Sequence, residues 1–253
     1  MSNLQGKVAL VTGCGNAEGI GWATALRLAH DGADIAIHGR PEAEDDTREL
    51  GVTVAGFGRR AFRVTADLGR EVDVTKMVDQ ALQHFGRIDI LVNNAALLGP
   101  LKPALELVGR DWDSAWYTNV RGAFVCAREA AKTMINQGSG VIINVVSGNH
   151  PGQQDALVYN ATKAALLSIT HSLAAELSPQ GVRVNAVAPG WVDSPISDSL
   201  RGGKQQPQRR QARPIQAKAW PAAPEDVAAA IVFLASEDAQ QITDRIVHVG
   251  KEP

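Results

Sequence analysis

The stretch Val8-Ala9-Leu10-Val11-Thr12-Gly13-Cys14-Gly15-Asn16-Ala17-Glu18-Gly19-Ile20-Gly21 decides the fold. Its first four residues are apolar and predict a strand, and from Ile20 onward apolar residues recur at helical spacing. The glycines between strand and helix let the backbone approach a pyrophosphate, and the start of a helix favours the same anion. This position is typical of a dinucleotide-binding loop. A flexible strand-to-helix turn without a ligand is the alternative.

Short apolar runs alternate with helical patterns along the rest of the chain. Strands are predicted at Val8–Val11, Asp34–His38, Ala61–Thr65, Ile88–Val92, Val141–Val146, Val182–Val187 and Ile246–Val249. Helices are predicted at Ile20–His30, Glu71–Phe85, Asp111–Gln137, Asp155–Leu177 and Pro224–Ser236. Continuous apolar runs indicate strands buried on both faces, and the alternation indicates parallel crossovers. We expect an α/β fold: a single Rossmann-type, doubly wound domain over residues 1–253, with a seven-stranded, mostly parallel sheet and helices on both faces.

Composition excludes several classes of protein. The 253 residues include 25 Lys+Arg and 27 Asp+Glu, and the net charge of -2 argues against a nucleic-acid partner. No apolar run approaches the roughly 18 residues that a membrane span needs. The two cysteines are too few for a disulfide framework, and the six histidines form no metal-binding pattern. The first strand pattern starts at Lys7 and leaves no room for a signal peptide, so we expect a cytoplasmic protein without a metal.

The segment from about 195 to 224 interrupts the strand–helix alternation. It carries a glycine pair and a cluster of basic residues, and its helical periodicity is poor. It is interpreted as a basic excursion over the carboxyl edge of the sheet that covers a substrate. A solvated loop without a ligand role is the alternative.

Tyr159 and Lys163 lie four residues apart in a predicted helix and therefore share one face. A phenol with a pKa near 10 is a poor base at neutral pH. An ammonium group within about 4–6 Å lowers such a pKa by roughly 1–3 pH units. The pair could then move a proton to or from the oxygen of a carbonyl or an alcohol. Taken alone, the pair also fits an exposed aromatic ring resting on a lysine stem.

Together these motifs resemble the short-chain dehydrogenase/reductase family over almost the whole chain. Gly13, Gly19 and Gly21 match its glycine pattern, although five residues here separate the first two glycines where the family has three. This longer loop is similar to that of the enoyl-reductase branch. Asn93-Asn94-Ala95-Ala96 matches the family's Asn-Asn-Ala-Gly segment, and Pro189-Gly190 matches its turn beside the nicotinamide.

The resemblance implies a nicotinamide dinucleotide. The contacts it implies are Gly13, Asn16, Gly19, Ile20, Gly21, Arg40, Asp67, Leu68, Asn94, Ala95, Tyr159, Lys163, Pro189, Gly190, Val192 and Ser194. Arg40 follows the second strand where a carboxylate would favour NAD(H), and a guanidinium suits a 2′-phosphate instead. NADP(H) is therefore favoured over NAD(H), although Glu18 would oppose a phosphate nearby. Alternatively, Asp67 only stabilises the turn after the third strand and has no contact with a ligand.

The same resemblance implies a catalytic set of Asn119, Ser147, Tyr159 and Lys163. In the family the serine hydrogen-bonds the substrate oxygen and the asparagine holds a water beside the lysine. Ser147 precedes Tyr159 by twelve residues, about one fewer than usual in the family. Candidate substrate contacts are Ser147, Asn149, His150, Gln154, Tyr159 and Trp191.

The expected function is NAD(P)-dependent interconversion of a secondary alcohol and a ketone by hydride transfer (EC 1.1.1.-). The polar substrate contacts favour a sugar, a polyol, a hydroxy acid or a 3-oxoacyl compound. An enoyl reductase and a catalytically silent dinucleotide-binding or scaffold protein are the alternatives. The enoyl-reductase branch typically spaces its Tyr and Lys by seven residues, unlike this chain. The resemblance also implies a homo-oligomer, a tetramer or a dimer, with a small-molecule substrate.

Overall fold

A computed structural model describes residues 4–147, 155–200 and 221–250. Its sheet has seven strands in the order β3-β2-β1-β4-β5-β6-β7, and all six neighbouring pairs are parallel. The strands are β1 Val8–Val11, β2 Asp34–Gly39, β3 Ala61–Thr65, β4 Ile90–Asn93, β5 Gly140–Val145, β6 Val182–Pro189 and β7 Ile246–Val249. The chain reverses its winding between β1 and β4, where an open α/β sheet leaves a crevice at its carboxyl edge.

Helices cover both faces of this sheet, as expected. They are α1 Ile20–His30, α2 Glu44–Gly56, α3 Glu71–Phe85, α4 Arg110–Trp116, α5 Ala123–Gln137, α6 Leu157–Leu177, α7 Pro195–Leu200 and α8 Pro224–Ala235. Within the residues that the structure describes, no helix is long and apolar enough to span a membrane.

Alternate residues of one strand enter different cores, which explains the continuous apolar runs. Ala9 and Val11 pack in the core that α1, α2 and α8 cover, whereas Val8 and Leu10 pack in the core that α3, α5 and α6 cover. Every residue of β1 is buried. The sheet therefore lies between two layers of helices. The loops that follow the carboxyl ends of its strands form the candidate site.

Three helical segments differ from the sequence prediction. Helix α2 was not predicted, because only Thr47, Leu50 and Val54 of its residues are buried and its apolar face is correspondingly weak. The predicted helix Asp111–Gln137 is divided by a π-helical segment, Tyr117–Gly122. The start of the excursion is helical in α7, so the prediction of poor helix formation is wrong there; residues 201–220 of the excursion lie outside the described residues.

Candidate active site

A crevice of ≈ 790 Å³ lies at the carboxyl edge of the sheet. Every residue that the resemblance implied as a cofactor contact lines it, from the glycine loop to the segment after β6. The walls also include residues that sequence reasoning did not select: His38 at the end of β2, Tyr117 in the π-helical segment, and Ile196 in α7. The structure therefore brings the glycine loop and the Tyr159–Lys163 pair into one cavity.

Close packing around Gly21 shapes the phosphate end of the crevice. A Cβ atom on Gly21 would lie 2.4 Å from the Gly13 carbonyl oxygen and 2.5 Å from Asn94 Nδ2. Gly13 has a φ of +74°, and a Cβ there would lie 2.7 Å from Ala95 Cα. Side chains at either position would fill the cradle, so these glycines are required by the local packing.

The start of α1 is suited to an anion. Gly19 is its N-cap, no side chain caps the helix, and its first turn holds no acidic residue. The N–H groups at a helix start carry partial positive charge, which favours a phosphate. Asn16 stabilises the loop itself, because its Oδ1 accepts the Glu18 N–H at 2.9 Å and its carbonyl accepts the Gly19 N–H at 3.0 Å. This cradle fits the pyrophosphate of a dinucleotide.

Thr12 and Asn94 tie the glycine loop to the end of β4. Thr12 Oγ1 accepts the N–H groups of Asn94 and Ala95 at 3.0 and 3.1 Å and donates to the Val92 carbonyl at 3.2 Å. Asn94 Nδ2 donates to the carbonyls of Thr12 and Gly13 at 2.8 and 3.1 Å. Asn94 thus both lines the crevice and fixes the loop above it.

Two basic side chains lie at the tip of β2. Arg40 is exposed and lines the crevice. His38 is 2% exposed, and its Nδ1 lies 3.1 Å from the Gly13 nitrogen while Nε2 lies 3.2 Å from the Ala66 carbonyl. Burial lowers the pKa of His38 to about 4. The imidazole is therefore neutral at physiological pH.

Tyr159 and Lys163 lie side by side on the buried face of α6. Lys163 Nζ lies 5.7 Å from the centre of the Tyr159 ring and donates to the Val145 carbonyl at 2.6 Å. Burial lowers the pKa of Lys163 to about 8 and raises the pKa of Tyr159. This differs from the expectation of a lowered tyrosine pKa, because burial removes the phenolate from water and makes it unfavourable. The phenol is protonated in this state.

Asn119 lies behind the pair and is 1% exposed. Its Nδ2 donates to the Leu97 carbonyl at 2.8 Å and to Thr162 Oγ1 at 3.0 Å, and its Oδ1 accepts the Leu97 N–H at 2.7 Å. Thr162 Oγ1 in turn donates to the Tyr159 carbonyl at 2.7 Å. The side chain of Asn119 therefore connects the loop after β4 to the turn of α6 that carries Tyr159.

The substrate end of the crevice is described in part. Ser147 follows β5 and lines the crevice with Tyr159 and Leu97. Asn149, His150 and Gln154 lie outside the described residues. Trp191 is half-buried, and its carbonyl accepts the Ala222 N–H at 3.0 Å. The described residues contain no group of three or more His, Cys, Asp or Glu side chains that could hold a metal ion.

Comparison with known proteins agrees with this geometry. A family model described as "Enoyl-(Acyl carrier protein) reductase" matches residues 13–251. A short-chain dehydrogenase/reductase of Armillaria gallica is 35% identical over 97% of this chain and 95% of its own. The chain belongs to the short-chain dehydrogenase/reductase family.

Other members of the short-chain dehydrogenase/reductase family match over a similar extent. The 2-dehydro-3-deoxy-D-gluconate 5-dehydrogenase of Escherichia coli K12 is 35% identical over 98% of this chain and 95% of its own. A Burkholderia cenocepacia short-chain dehydrogenase in complex with NADP shares 32% identity, with a TM-score of 0.85 over 99% and 98% of the two chains. An NAD+-bound xylitol dehydrogenase shares 27% identity, with a TM-score of 0.83 over 98% and 99%.

Membership in this family makes the chain an oxidoreductase. Family relatives have been solved with either nicotinamide dinucleotide, so a nicotinamide cofactor is supported without a preference between the two. The cradle at Gly13–Gly21 and the uncapped start of α1 are the features of this chain that fit such a cofactor.

Proposed function

We propose that this enzyme interconverts a secondary alcohol and a ketone by hydride transfer, with an NAD(P) cofactor (EC 1.1.1.-). The observation that carries the proposal is the Tyr159–Lys163 pair, buried on one face of α6 and lining the same crevice as the glycine loop. Ser147 lines that crevice as well. Together they form an acid, a cation and a hydrogen-bond donor for one carbonyl oxygen.

The glycine loop would hold the pyrophosphate, and the segment from Pro189 to Ser194 would hold the nicotinamide. The bound dinucleotide supplies the hydride in one direction and accepts it in the other. Tyr159 donates its proton to the carbonyl oxygen during reduction, for which its raised pKa provides the protonated phenol. The Lys163 ammonium then stabilises the phenolate that remains. Oxidation of the alcohol reverses these proton movements.

Ser147 donates a hydrogen bond to the same oxygen, which orients the substrate and stabilises the negative charge that develops on it. Asn119 acts as a positioning residue, since its side chain fixes the turn of α6 that presents Tyr159. We also retain the role that the family resemblance implies for Asn119, which is to hold a water molecule beside Lys163.

Replacing Tyr159 by Phe tests the catalytic assignment. Loss of a general acid–base group lowers kcat by about 100-fold or more. Binding of the dinucleotide, followed by its fluorescence, is expected to change little. Tyr117→Phe is the matched control, because Tyr117 is the other tyrosine of the chain, lines the same crevice and is 41% exposed. Equal activity of Tyr159→Phe and wild type towards every ketone and alcohol turned over would overturn the assignment.

NADP(H) is proposed as the favoured cofactor because Arg40 places a guanidinium at the tip of β2. Glu18, which the sequence suggested as an opposing charge, is not among the described residues of the crevice wall, although Glu42 is. The relative solved with NADP agrees with this proposal, whereas the relative bound to NAD+ agrees with the alternative cofactor.

The cofactor proposal is tested with Arg40→Ala. Loss of a charge-assisted bond to a phosphate is expected to lower the ratio of kcat/KM for NADPH over NADH roughly 10-fold or more. The control is Arg48→Ala, an exposed arginine of α2 paired with Glu44 outside the crevice wall. A wild-type preference for NADH, or an unchanged ratio in Arg40→Ala, would contradict the proposal.

The substrate is proposed to be small and polar: a sugar, a polyol, a hydroxy acid or a 3-oxoacyl compound. Relatives named for a sugar acid and for xylitol support this class. A panel of such compounds, bulky apolar ketones and 2-enoyl thioesters, followed at the nicotinamide absorbance, separates the possibilities. Faster reduction of 2-enoyl thioesters would favour an enoyl reductase, which the description of the matching family model suggests. Tight dinucleotide binding without turnover would favour a silent binding protein.

A further inference from the structure

His38 contacts the glycine loop with both its side chain and its backbone. Nδ1 lies 3.1 Å from the Gly13 nitrogen, and the His38 carbonyl accepts the Cys14 N–H at 2.8 Å. On the other side of the ring, Nε2 lies 3.2 Å from the Ala66 carbonyl. A carbonyl only accepts hydrogen bonds, so the proton is on Nε2 and Nδ1 accepts from Gly13. One residue of β2 thus holds two consecutive N–H groups of the loop.

These contacts fix the loop from the side opposite Asn94. The Gly13 carbonyl accepts Asn94 Nδ2 at 3.1 Å, from the end of β4, while its N–H points to His38 in β2. The peptide groups on both sides of Gly13 are therefore held by neighbouring strands. Gly13 has a left-handed φ of +74°, a conformation that the surrounding contacts must maintain.

His38 lies far from the reacting groups. Strand β2 is separated from β5 by β1 and β4, and the Val145 carbonyl of β5 holds Lys163. Three strand spacings correspond to about 14 Å. An effect of His38 on turnover must therefore pass through the glycine loop and the dinucleotide that the loop binds.

We propose that His38 is a positioning residue for the nucleotide-binding loop, whose neutral imidazole accepts the Gly13 N–H and so sets the affinity for the dinucleotide but not the rate of chemistry. This inference rests on the proposed function. The property that matters is a hydrogen-bond acceptor at the Nδ1 position. We therefore expect another side chain with an acceptor there to preserve the affinity for the dinucleotide.

Two substitutions separate the two ring contacts. In His38→Asn, the amide oxygen takes a position close to that of Nδ1 and keeps an acceptor for Gly13, whereas the contact with Ala66 is lost. In His38→Gln, the longer side chain places its amide near Nε2, which keeps a donor for Ala66 and removes the acceptor for Gly13. The two variants are of similar polarity, so each is a control for the other.

The test measures the Kd of NADPH and of NADH by fluorescence titration of the full chain, with kcat at saturating dinucleotide. His38→Gln is expected to bind at least about 10-fold more weakly, as for a partly buried N–H left without its acceptor. His38→Asn is expected within about three-fold of wild type, and kcat of both variants within a few-fold. Equal affinities of wild type and His38→Gln would overturn the inference, as would equally weak binding by both variants or a loss confined to kcat.

Failure of the proposed function gives a different result, because wild type would then bind neither dinucleotide, or would bind one and turn over no ketone or alcohol. If His38→Gln does not fold, NMR of the wild-type chain labelled with ¹⁵N-histidine provides a second measurement. The expected ring is neutral at pH 6, with its proton on Nε2, and responds to added dinucleotide. A ring that is charged at pH 6, or protonated on Nδ1, would overturn the inference.

Discussion

Gly21→Ala is expected to weaken both folding and dinucleotide binding. The new Cβ would lie 2.4 Å from the Gly13 carbonyl oxygen and 2.5 Å from Asn94 Nδ2. Neither neighbour is the free end of a flexible side chain, since Asn94 Nδ2 is bonded to the Thr12 carbonyl at 2.8 Å. Overpacking costs about 1–3 kcal/mol and loss of the Asn94–Gly13 hydrogen bond about 1 kcal/mol. Alanine regains about 1 kcal/mol of helix propensity, which leaves a destabilisation of about 1–3 kcal/mol.

Gly51→Ala is the matched control, because Gly51 is also helical but has room for a side chain. A Cβ there would meet its nearest neighbours, Ala61 Cβ and Ile37 Cδ1, at 3.9 Å, an ordinary contact. This variant is expected to gain about 0.5–1 kcal/mol.

Urea denaturation followed by circular dichroism gives the free energies of unfolding of the two variants, and fluorescence titration gives the dinucleotide Kd. Gly21→Ala is expected to bind the dinucleotide at least about 10-fold more weakly. The new Cβ pushes Gly13 out of place and distorts the cradle, and a tenfold weaker Kd corresponds to a strain of about 1.4 kcal/mol. Gly51→Ala should bind as wild type does. The reasoning is refuted if Gly21→Ala is as stable as Gly51→Ala and binds the dinucleotide equally well.

Three further outcomes follow from buried polar groups. Thr12→Val leaves the Ala95 N–H without its side-chain acceptor and the Asn94 N–H with the Val92 carbonyl alone, and should lower the free energy of unfolding by about 1–3 kcal/mol in urea; no change would contradict the role of Oγ1. The pKa of His38 is about 4 in the folded chain and 6.5 ordinarily, so the unfolded chain binds the extra proton between these values. Stability should therefore fall by up to about 3 kcal/mol as the pH drops through this window, and His38→Asn should fall less; identical pH slopes would disprove the contribution. Burial raises the pKa of Cys14 and Cys126 to about 12, so neither thiol should react with a disulfide reagent at pH 8 until urea unfolds the chain; rapid labelling of either one in the folded chain would count against this.

The strands could be predicted from the sequence because each is buried on both faces. Continuous apolar runs such as that of β1 indicate strands buried on both faces, and the structure forms the seven-stranded parallel sheet that the sequence predicts. Helix α2 escaped prediction because its exposed side carries Val52, at 70% exposure, while few of its residues are buried. The π-helical division before α5 depends on a tertiary contact. A Cβ on Gly122 would lie 2.4 Å from the Leu68 carbonyl oxygen, and no local pattern encodes that approach.

The candidate site also contains some residues that could be predicted from the sequence and others that could not. Residue types at fixed spacing, Tyr159 with Lys163 and the glycines of the loop, were recognisable because each set lies on one short element. The contacts of His38 with Gly13 and Ala66 span 25 and 28 residues and arise only when β1, β2 and β3 align. A polar residue in a buried strand, next to a glycine-rich loop, is the signal that could have drawn attention to it.

The burial of Tyr159 and Lys163 changes the interpretation of their proximity. In the described state the phenol is neutral and the ammonium is a buried cation, with the Val145 carbonyl as hydrogen-bond acceptor. An isolated charge in a low-dielectric site is unfavourable, whereas a charge beside its opposite is partly compensated. Under the proposed function, transfer of the phenolic proton to a substrate oxygen creates an anion next to this cation. Desolvation, which makes the phenolate unfavourable on its own, thus also strengthens the attraction that stabilises it once Lys163 is charged, and the two residues act as one unit.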